Sequence, residues 1–421
     1  MATSRVSSEV DEWFRNETVT VRPKGASLKV FEGDFNLLDF CPTDDPAWRQ
    51  GTALPRTREM VQDLRRWAEQ YRSSSAAAAV LPAFQRHLAG RFIFFNNKAE
   101  GTGLENEGDT QRLLLEACAD LPDKKSKEVL QMHEAMCFLQ KIRLDRLQQG
   151  ETSAESILIT PEMVLKAHTI LTTNLIERPG QLREEDSYAG VPGGDKFYSD
   201  PPHLVPSSFN TTLELYNALL FDVADKWDTL HSTTALYNLA ALLFVQLITA
   251  HPFDDGNGRT LRLLANFVLS AITPFPIPAY VEDGIRTRRT YIDAIMATRN
   301  LADVMLTRVN PPEDLAALFI ESAWQSWQEL MTWVDRSTIL QSLRGKLLAS
   351  TFSPSHYNRL KDIGLSAQEK EAEIATIQQA IDDAKREATD IKPGHAHDIV
   401  VSLARDTFAT VTLLKPRSSH G

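Results

Sequence analysis

Cysteine is scarce: Cys41, Cys118 and Cys137 are the only three in a chain of 421 residues. Their odd number and unpaired spacing exclude a disulfide framework and a cysteine zinc site, and fit free thiols in a reducing compartment. Excess positive charge is missing as well. Against 45 Lys and Arg stand 56 Asp and Glu, a net charge of −11, which argues against a general nucleic-acid surface and leaves room only for a local basic pocket. The first fifteen residues hold Glu9, Asp11, Glu12 and Arg15 instead of an apolar core flanked by positive charge, so the expected location is cytoplasmic. Export by a signal-independent route stays open. No internal repeat is present.

What is there is ordinary for a globular chain, with 43% hydrophobic and 24% charged residues. The length suits two or three domains, or one large helical body with appendages. One long run lacks charge, Thr233 to Ala250, apolar at Leu236, Leu239, Leu243, Leu247 and Ile248. This spacing predicts a helix apolar on most faces. Asn238 and Gln246 inside it favour a buried helix over a membrane span.

That run ends in His251 to Arg262, HPFDDGNGRTLR, and a second apolar helix follows through Leu264, Val268 and Ile272 until Pro274, Pro276 and Pro278 stop it. The stretch is therefore a tight turn between two core helices. A helix start offers unpartnered N–H groups and the positive end of the macrodipole, which makes an anion site. Gly256 and Gly258 let the backbone approach a ligand, and Asn257 between them can donate hydrogen bonds. Arg259 and Arg262 add two guanidinium groups three residues apart. Asp255 is a hard oxygen ligand of the kind Mg2+ takes when substrate phosphates complete its shell. His251 can accept a proton near neutral pH from an attacking hydroxyl. The residues alone spell a nucleotide-phosphate site with a general base.

These twelve residues match at every defined position the signature of the Fic family, His-Pro-Phe-x-Asp/Glu-Gly-Asn-Gly-Arg-x-x-Arg, and the chain is identified as a member on that motif. The resemblance implies transfer of AMP from ATP to a protein hydroxyl. It makes His251 the base, Asp255 the Mg2+ ligand and Gly256-Asn257-Gly258 the phosphate turn. Arg259 and Arg262 would bind the polyphosphate, Arg262 at the γ-phosphate. Related Doc-type kinases usually carry Lys where Gly258 stands, which favours nucleotidyl transfer. RTRRTYIDAI, with Arg288 and Tyr291, resembles the segment that helps close the family's nucleotide pocket. Tyr291 would then stack on adenine; a core or surface tyrosine is the other reading.

Upstream, Asn96-Asn97-Lys98-Ala99-Glu100-Gly101 resembles the family's self-inhibitory helix, Ser/Thr-x-x-x-Glu-Gly/Asn, except that Asn96 replaces Ser/Thr. A Glu100 carboxylate on Arg262 would occupy the fork that should clamp the γ-phosphate. The alternative is a surface residue ahead of a turn. Residues 187–199, around Pro192-Gly193-Gly194-Asp195, form a hairpin candidate. By resemblance this is the flap that aligns an extended target segment by strand addition.

Elsewhere the pattern predicts helices over Arg56 to Ala89 (its Ser-Ala run a loop or weak helix), Asp109 to Leu147 with a break at Pro122, Pro161 to about Leu175, Phe209 to Trp227, Tyr280 to Asn300, Pro311 to Trp333 and Leu365 to Asp390. His133 is expected as a core or boundary residue, and the pair His395 and His397 as part of a loop.

The expected fold is all-α, a Fic-type helical core with a small β-hairpin flap and helical extensions at both ends. Residues 1–150 form the N-terminal region with the inhibitory element near 91–103, residues 155–310 the Fic domain, and residues 311–421 the C-terminal extension. The resemblance itself runs from about Leu158 to Val309. The expected activity is a protein adenylyltransferase restrained by Glu100, with Mg2+ as cofactor and ATP and a Ser, Thr or Tyr hydroxyl of a target protein as substrates. No nucleic-acid or membrane partner is expected, and a homodimer stays open. So do AMP removal, with Glu100 positioning water, another donor such as UTP, GTP or a CDP-linked alcohol, and a helical interaction protein that senses nucleotide without turnover.

Overall fold

The computed structural model describes residues 40–116, 123–190, 196–224, 230–299 and 312–351. Cys118, Pro122, residues 191–195, Trp227, residues 301–311, the 365–390 helix and the His395 and His397 pair lie outside the described residues. The chain divides into two compact units, one of residues 1–73 and 81–328, the other of 74–80 and 329–421.

In chain order the helices are α1 (Thr57–Ser73), α2 (Ser75–Ala99), α3 (Glu107–Glu116), α4 (Lys124–Gln148), α5 (Pro161–Thr172), α6 (Val205–Ala224), α7 (Leu230–Ala250), α8 (Asn257–Leu269), α9 (Arg288–Arg299) and α10 (Glu313–Thr351). Strands β1 (Tyr188–Gly190) and β2 (Lys196–Tyr198) precede α6 and pair antiparallel, Tyr188 opposite Tyr198 and Gly190 opposite Lys196. The fold is all-α, with this pair of three-residue strands the only sheet among the described residues.

Local signals set the helix starts. The Asp123 carboxylate accepts from Ser126 N at 2.9 Å before α4. The Thr160 hydroxyl accepts from Met163 N at 3.3 Å before α5, and Pro161 fills the first helical position, where no N–H is needed. Several boundaries differ from the pattern reading, among them the end of α10, at Thr351 instead of Trp333, the end of α2 and the start of α9. The Ser-Ala run takes the helical of its two readings, and α2 continues through Asn96-Asn97 with Pro82 inside it; alanine propensity and the buried Phe84, Leu88, Phe92 and Ile93 outweigh one proline. Helix α9 begins at Arg288 instead of Tyr280. The 274–278 prolines keep the preceding segment irregular, Asp283 Oδ1 accepts from Ile285 N and Arg286 N, and Thr287 Oγ1 accepts from Thr290 N at 3.1 Å.

The first unit is built around α7. Its Thr233–Ala250 segment has the length and composition of a membrane span, but 72% of it is buried inside the fold, so it is the core helix. Helices α6 and α8 flank it, α5 packs on α4 and α8, and the Asn238 amide inside α7 donates to Phe40 O at 2.8 Å. The start of α10 closes the unit: Glu321 is fully buried and accepts from Arg49 Nε at 2.5 Å, and Trp324 lies against Trp67. The described part of the second unit is helical, with Leu330 buried.

Candidate functional site

The turn between α7 and α8 begins with a backbone exception. Helix α7 ends when His251, at φ +50°, donates its N–H to Leu247 O at 2.9 Å, the left-handed stop usually filled by glycine. Pro252 follows and cannot continue the helix. Gly256, at φ +79°, is the N-cap of α8. A side chain there would press on Thr172 Cγ2 at 3.0 Å and on His168 Nε2 at 3.3 Å.

Three buried side chains hold this turn from below. Arg183, 2% exposed, donates from Nε to His251 O at 2.6 Å and from Nη2 to Ala250 O at 3.1 Å. The same guanidinium reaches Glu185 O at 2.6 Å and Asp200 O, which tie down the chain on either side of β1 and β2. His168 on α5 accepts from Gly180 N through Nδ1 at 2.9 Å, so Nε2 carries the proton and donates to Asp255 O at 2.8 Å. Its ring stacks on Phe253 at 3.7 Å, and burial lowers its pKa to about 4, so it is neutral. The Asn257 amide donates to Phe253 O at 2.7 Å and its oxygen accepts from Phe253 N at 3.0 Å. The amide is thus engaged with the turn at both its oxygen and its nitrogen, which leaves one amide hydrogen and the backbone N–H as donors.

Above the turn the groups are charged. Asp255 is 64% exposed, with Oδ1 accepting from Gly256 N at 2.5 Å and Oδ2 3.8 Å from Arg259 Nη2. Arg259 is 2% exposed, yet its Nε and Nη1 are buried without a hydrogen-bond partner, an expensive arrangement that an anion would relieve. Arg262, three residues on and 3% exposed, uses four of its five N–H donors. Its Nε donates to Asn96 Oδ1 at 2.5 Å, Nη2 to Asn96 O at 3.1 Å and to Glu100 Oε1 at 2.5 Å, and Nη1 to the Tyr291 hydroxyl at 3.2 Å.

Glu100 reaches Arg262 from the end of α2, and the end itself is specified. Gly101 N donates to Lys98 O and Thr102 N to Asn97 O, the Schellman pattern, with Gly101 at φ +68°. Arg288 Nε donates to Ala99 O at 3.0 Å, a cation on the carbonyl end of the helix. Burial pushes the Glu100 carboxyl up, but Arg262, then Arg259 and Arg288, outweigh it and hold it below the usual carboxylate range. Its Oε1 covers Gly258, where any Cβ would collide with it. Asn96, where the family motif has Ser or Thr, keeps an oxygen acceptor for Arg262.

The expected adenine stacking by Tyr291 does not fit its surroundings. The ring is 5% exposed, 5.3 Å from Tyr280 and 5.9 Å from Phe244, and the Arg262 guanidinium lies 5.7 Å from its centroid. Tyr291 supports Arg262 from inside the core. His168 and the full reach of Arg183 were not readable from sequence; each acts on partners 17 to 87 residues away, apart from two near contacts.

A family model described as Fic/DOC family matches residues 158–269. A Fido domain-containing protein of Dictyostelium discoideum is 30% identical over 140 residues, spanning 31% of this chain and 87% of that protein. The protein adenylyltransferase fic-1 of Caenorhabditis briggsae is 29% identical over 251 residues, 58% of this chain and 42% of its own length. The matched region thus spans less than half of the fic-1 relative. Among solved structures, a Fic domain-containing signaling protein from Bacteroides thetaiotaomicron aligns with a TM-score of 0.53 at 19% identity, covering 66% of this chain and 98% of its own. That likeness concerns the fold. By the match across α5 to α8 and the identity along most of the Dictyostelium protein, this chain belongs to the Fic/DOC family.

Proposed function

We propose that the chain is a protein adenylyltransferase, restrained by Glu100, that moves AMP from ATP to a Ser, Thr or Tyr hydroxyl of a target protein. The observation that carries the reading is the contrast at the start of α8: Arg259 keeps two buried donors without partners while Arg262 is held by Glu100 at 2.5 Å. An incoming triphosphate would satisfy the first and compete for the second. The names of the fic-1 relatives support the same chemistry.

In this reading His251 takes the proton of the target hydroxyl as its oxygen attacks the α-phosphorus, and pyrophosphate leaves. The start of α8 and its two arginines stabilise the charge that develops on the phosphates. Asp255 fits Mg2+ as a single exposed carboxylate, with substrate phosphates supplying other oxygens, and the ion would add Lewis-acid neutralisation. Arg183 and His168 fix the backbone of the turn. The hairpin of residues 187–199 is proposed to lay the target segment beside His251 by strand addition. Glu100 blocks the γ-phosphate seat on Arg262, so ATP binds badly or in an unproductive pose.

The test is incorporation of α-labelled AMP into the protein itself, with ATP and Mg2+, in the native chain, in Glu100→Gly and in Glu100→Gly with His251→Ala. A rise in Glu100→Gly that disappears in the double variant is the expected result. Equal, His251-dependent labelling in native and Glu100→Gly chains would remove Glu100 as the restraint. No labelling in any chain would turn the reading toward AMP removal, another donor or nucleotide sensing.

A further inference from the structure

Away from the motif, the first unit carries a half-open pocket of about 470 Å3, in the range of small-molecule sites. Its walls come from α2, α4, α8 and the 273–276 segment. Met136, Leu139, Leu263, Phe267 and Phe275 give it an apolar lining, and all five are buried. Arg86 and Arg143 line the same space, and among the described residues neither has an ion pair or a side-chain hydrogen bond. Arg143 Nε is buried without a partner, and desolvation holds its guanidinium below its ordinary pKa. His133, also in the wall, is pushed toward its neutral form by burial.

An apolar-lined, half-open pocket with the partly buried, unanswered Arg143 guanidinium in its wall and the exposed Arg86 at its edge has a defined complement: a hydrocarbon body with an oxyanion head. Guanidinium forks match carboxylate and phosphate geometry; the partly desolvated Arg143 would hold such a head most strongly, with the exposed Arg86 adding a second, more solvated charge. We infer that the cavity lined by Arg86, Arg143, Leu263 and Phe267 is a second binding site, for a small amphipathic carboxylate or phosphate monoester. Its position carries a consequence that rests on the function proposed above. Gln85, Arg86 and Ala89 belong to the helix whose end bears Asn96 and Glu100. Leu263, Asn266 and Phe267 belong to the helix bearing Arg259 and Arg262. Asn266 donates to Arg262 O at 3.2 Å and to Ile277 O at 2.8 Å. A ligand wedged between the two helices acts on the spacing across which Glu100 meets Arg262.

The test is calorimetric titration of the full chain with decanoate, decyl phosphate and uncharged decanol. Saturable binding of an anionic probe, weakened roughly tenfold or more in Arg143→Gln or Arg86→Gln and comparably weak for decanol, is expected from loss of a charge-assisted hydrogen bond. Which anion binds tighter identifies the head group. Ala89→Phe, with circular dichroism to establish folding, should block binding by filling the cavity. Absence of saturable binding, or equal affinity in both arginine variants and Ala89→Phe, overturns the site. Coupling is read separately by AMP labelling with and without the bound probe. A change in the native chain that is absent in Glu100→Gly supports coupling, and no change in a chain that labels and binds overturns it. If no chain labels, the proposed activity fails while calorimetry still decides the site.

Discussion

Two sides of one turn differ in how their polar groups are answered. Below the HPFDDGNGR segment, Arg183, His168 and Asn257 meet backbone atoms at 2.6 to 3.1 Å and the Asp200 contact is shorter still. Above it, Arg259 has two donors without partners, and Arg262 depends in part on a carboxylate whose side chain is 34% exposed. The lower side uses neutral, buried acceptors that no ligand replaces, and so fixes geometry. The upper side uses charges that a phosphate can take over. Rigidity and exchangeability are separated by the thickness of one backbone.

The sharpest way to break this division is Arg183→Met, which leaves several buried carbonyls unanswered. Loss of about 3 kcal/mol or more is expected, read as a lower urea midpoint at unchanged slope. A loss under about 1 kcal/mol would mean the lower side is not the rigid one. His168 provides a pH probe of nearly the same size. Its folded pKa, about 4, lies below the ordinary 6.5, so the unfolded chain binds the extra proton between those values. The stability this neutral ring contributes is present above pH 6.5 and is lost as pH falls toward 4, on the order of 3 kcal/mol. The His168→Gln chain should lack that slope; an identical slope would assign it to other groups.

Asn257→Ala should cost about 1–2 kcal/mol, because two backbone groups of Phe253 lose their partner. On the upper side, Glu100→Gln should change stability by about 1 kcal/mol or less, since Arg262 keeps Asn96 and Tyr291. A larger change would place Glu100 among the structural residues. Its depressed pKa sets a further sign: the contact is fully present above the ordinary carboxylate range and weakens only as pH falls through the lowered value. AMP labelling of the native chain should therefore show no relief attributable to Glu100 between about pH 6 and 8.

The upper side was the legible one. Its residues lie in contiguous motifs, so spacing alone brought His251, Asp255, Arg259 and Arg262 onto one turn, and the resemblance of residues 96–101 to the family's inhibitory motif paired Glu100 with Arg262. The lower side was hidden because nothing local marks it. His168 is a lone histidine on an apolar helix whose partner Asp255 is 87 residues away. Asn257 was read only as a ligand donor, although its amide also bonds both backbone groups of Phe253 and so helps shape its own turn. Tyr291 misled: its burial is decided by Tyr280 and Phe244, residues from two other segments. In the fold, apolar periodicity found the core helices, while the start of α9 depended on Asp283 and Thr287 turn bonds that hydrophobic spacing does not encode.

The left-handed backbone at His251 bears on how mutations at this position will be tolerated. Asparagine and glycine enter that conformation more easily than histidine does, whereas alanine and β-branched residues do not. A library screened only for thermal survival should therefore enrich Asn and Gly at 251 over His. Side-chain chemistry and chain preference pull in opposite directions there, so a sequence retaining histidine records selection for something other than endurance.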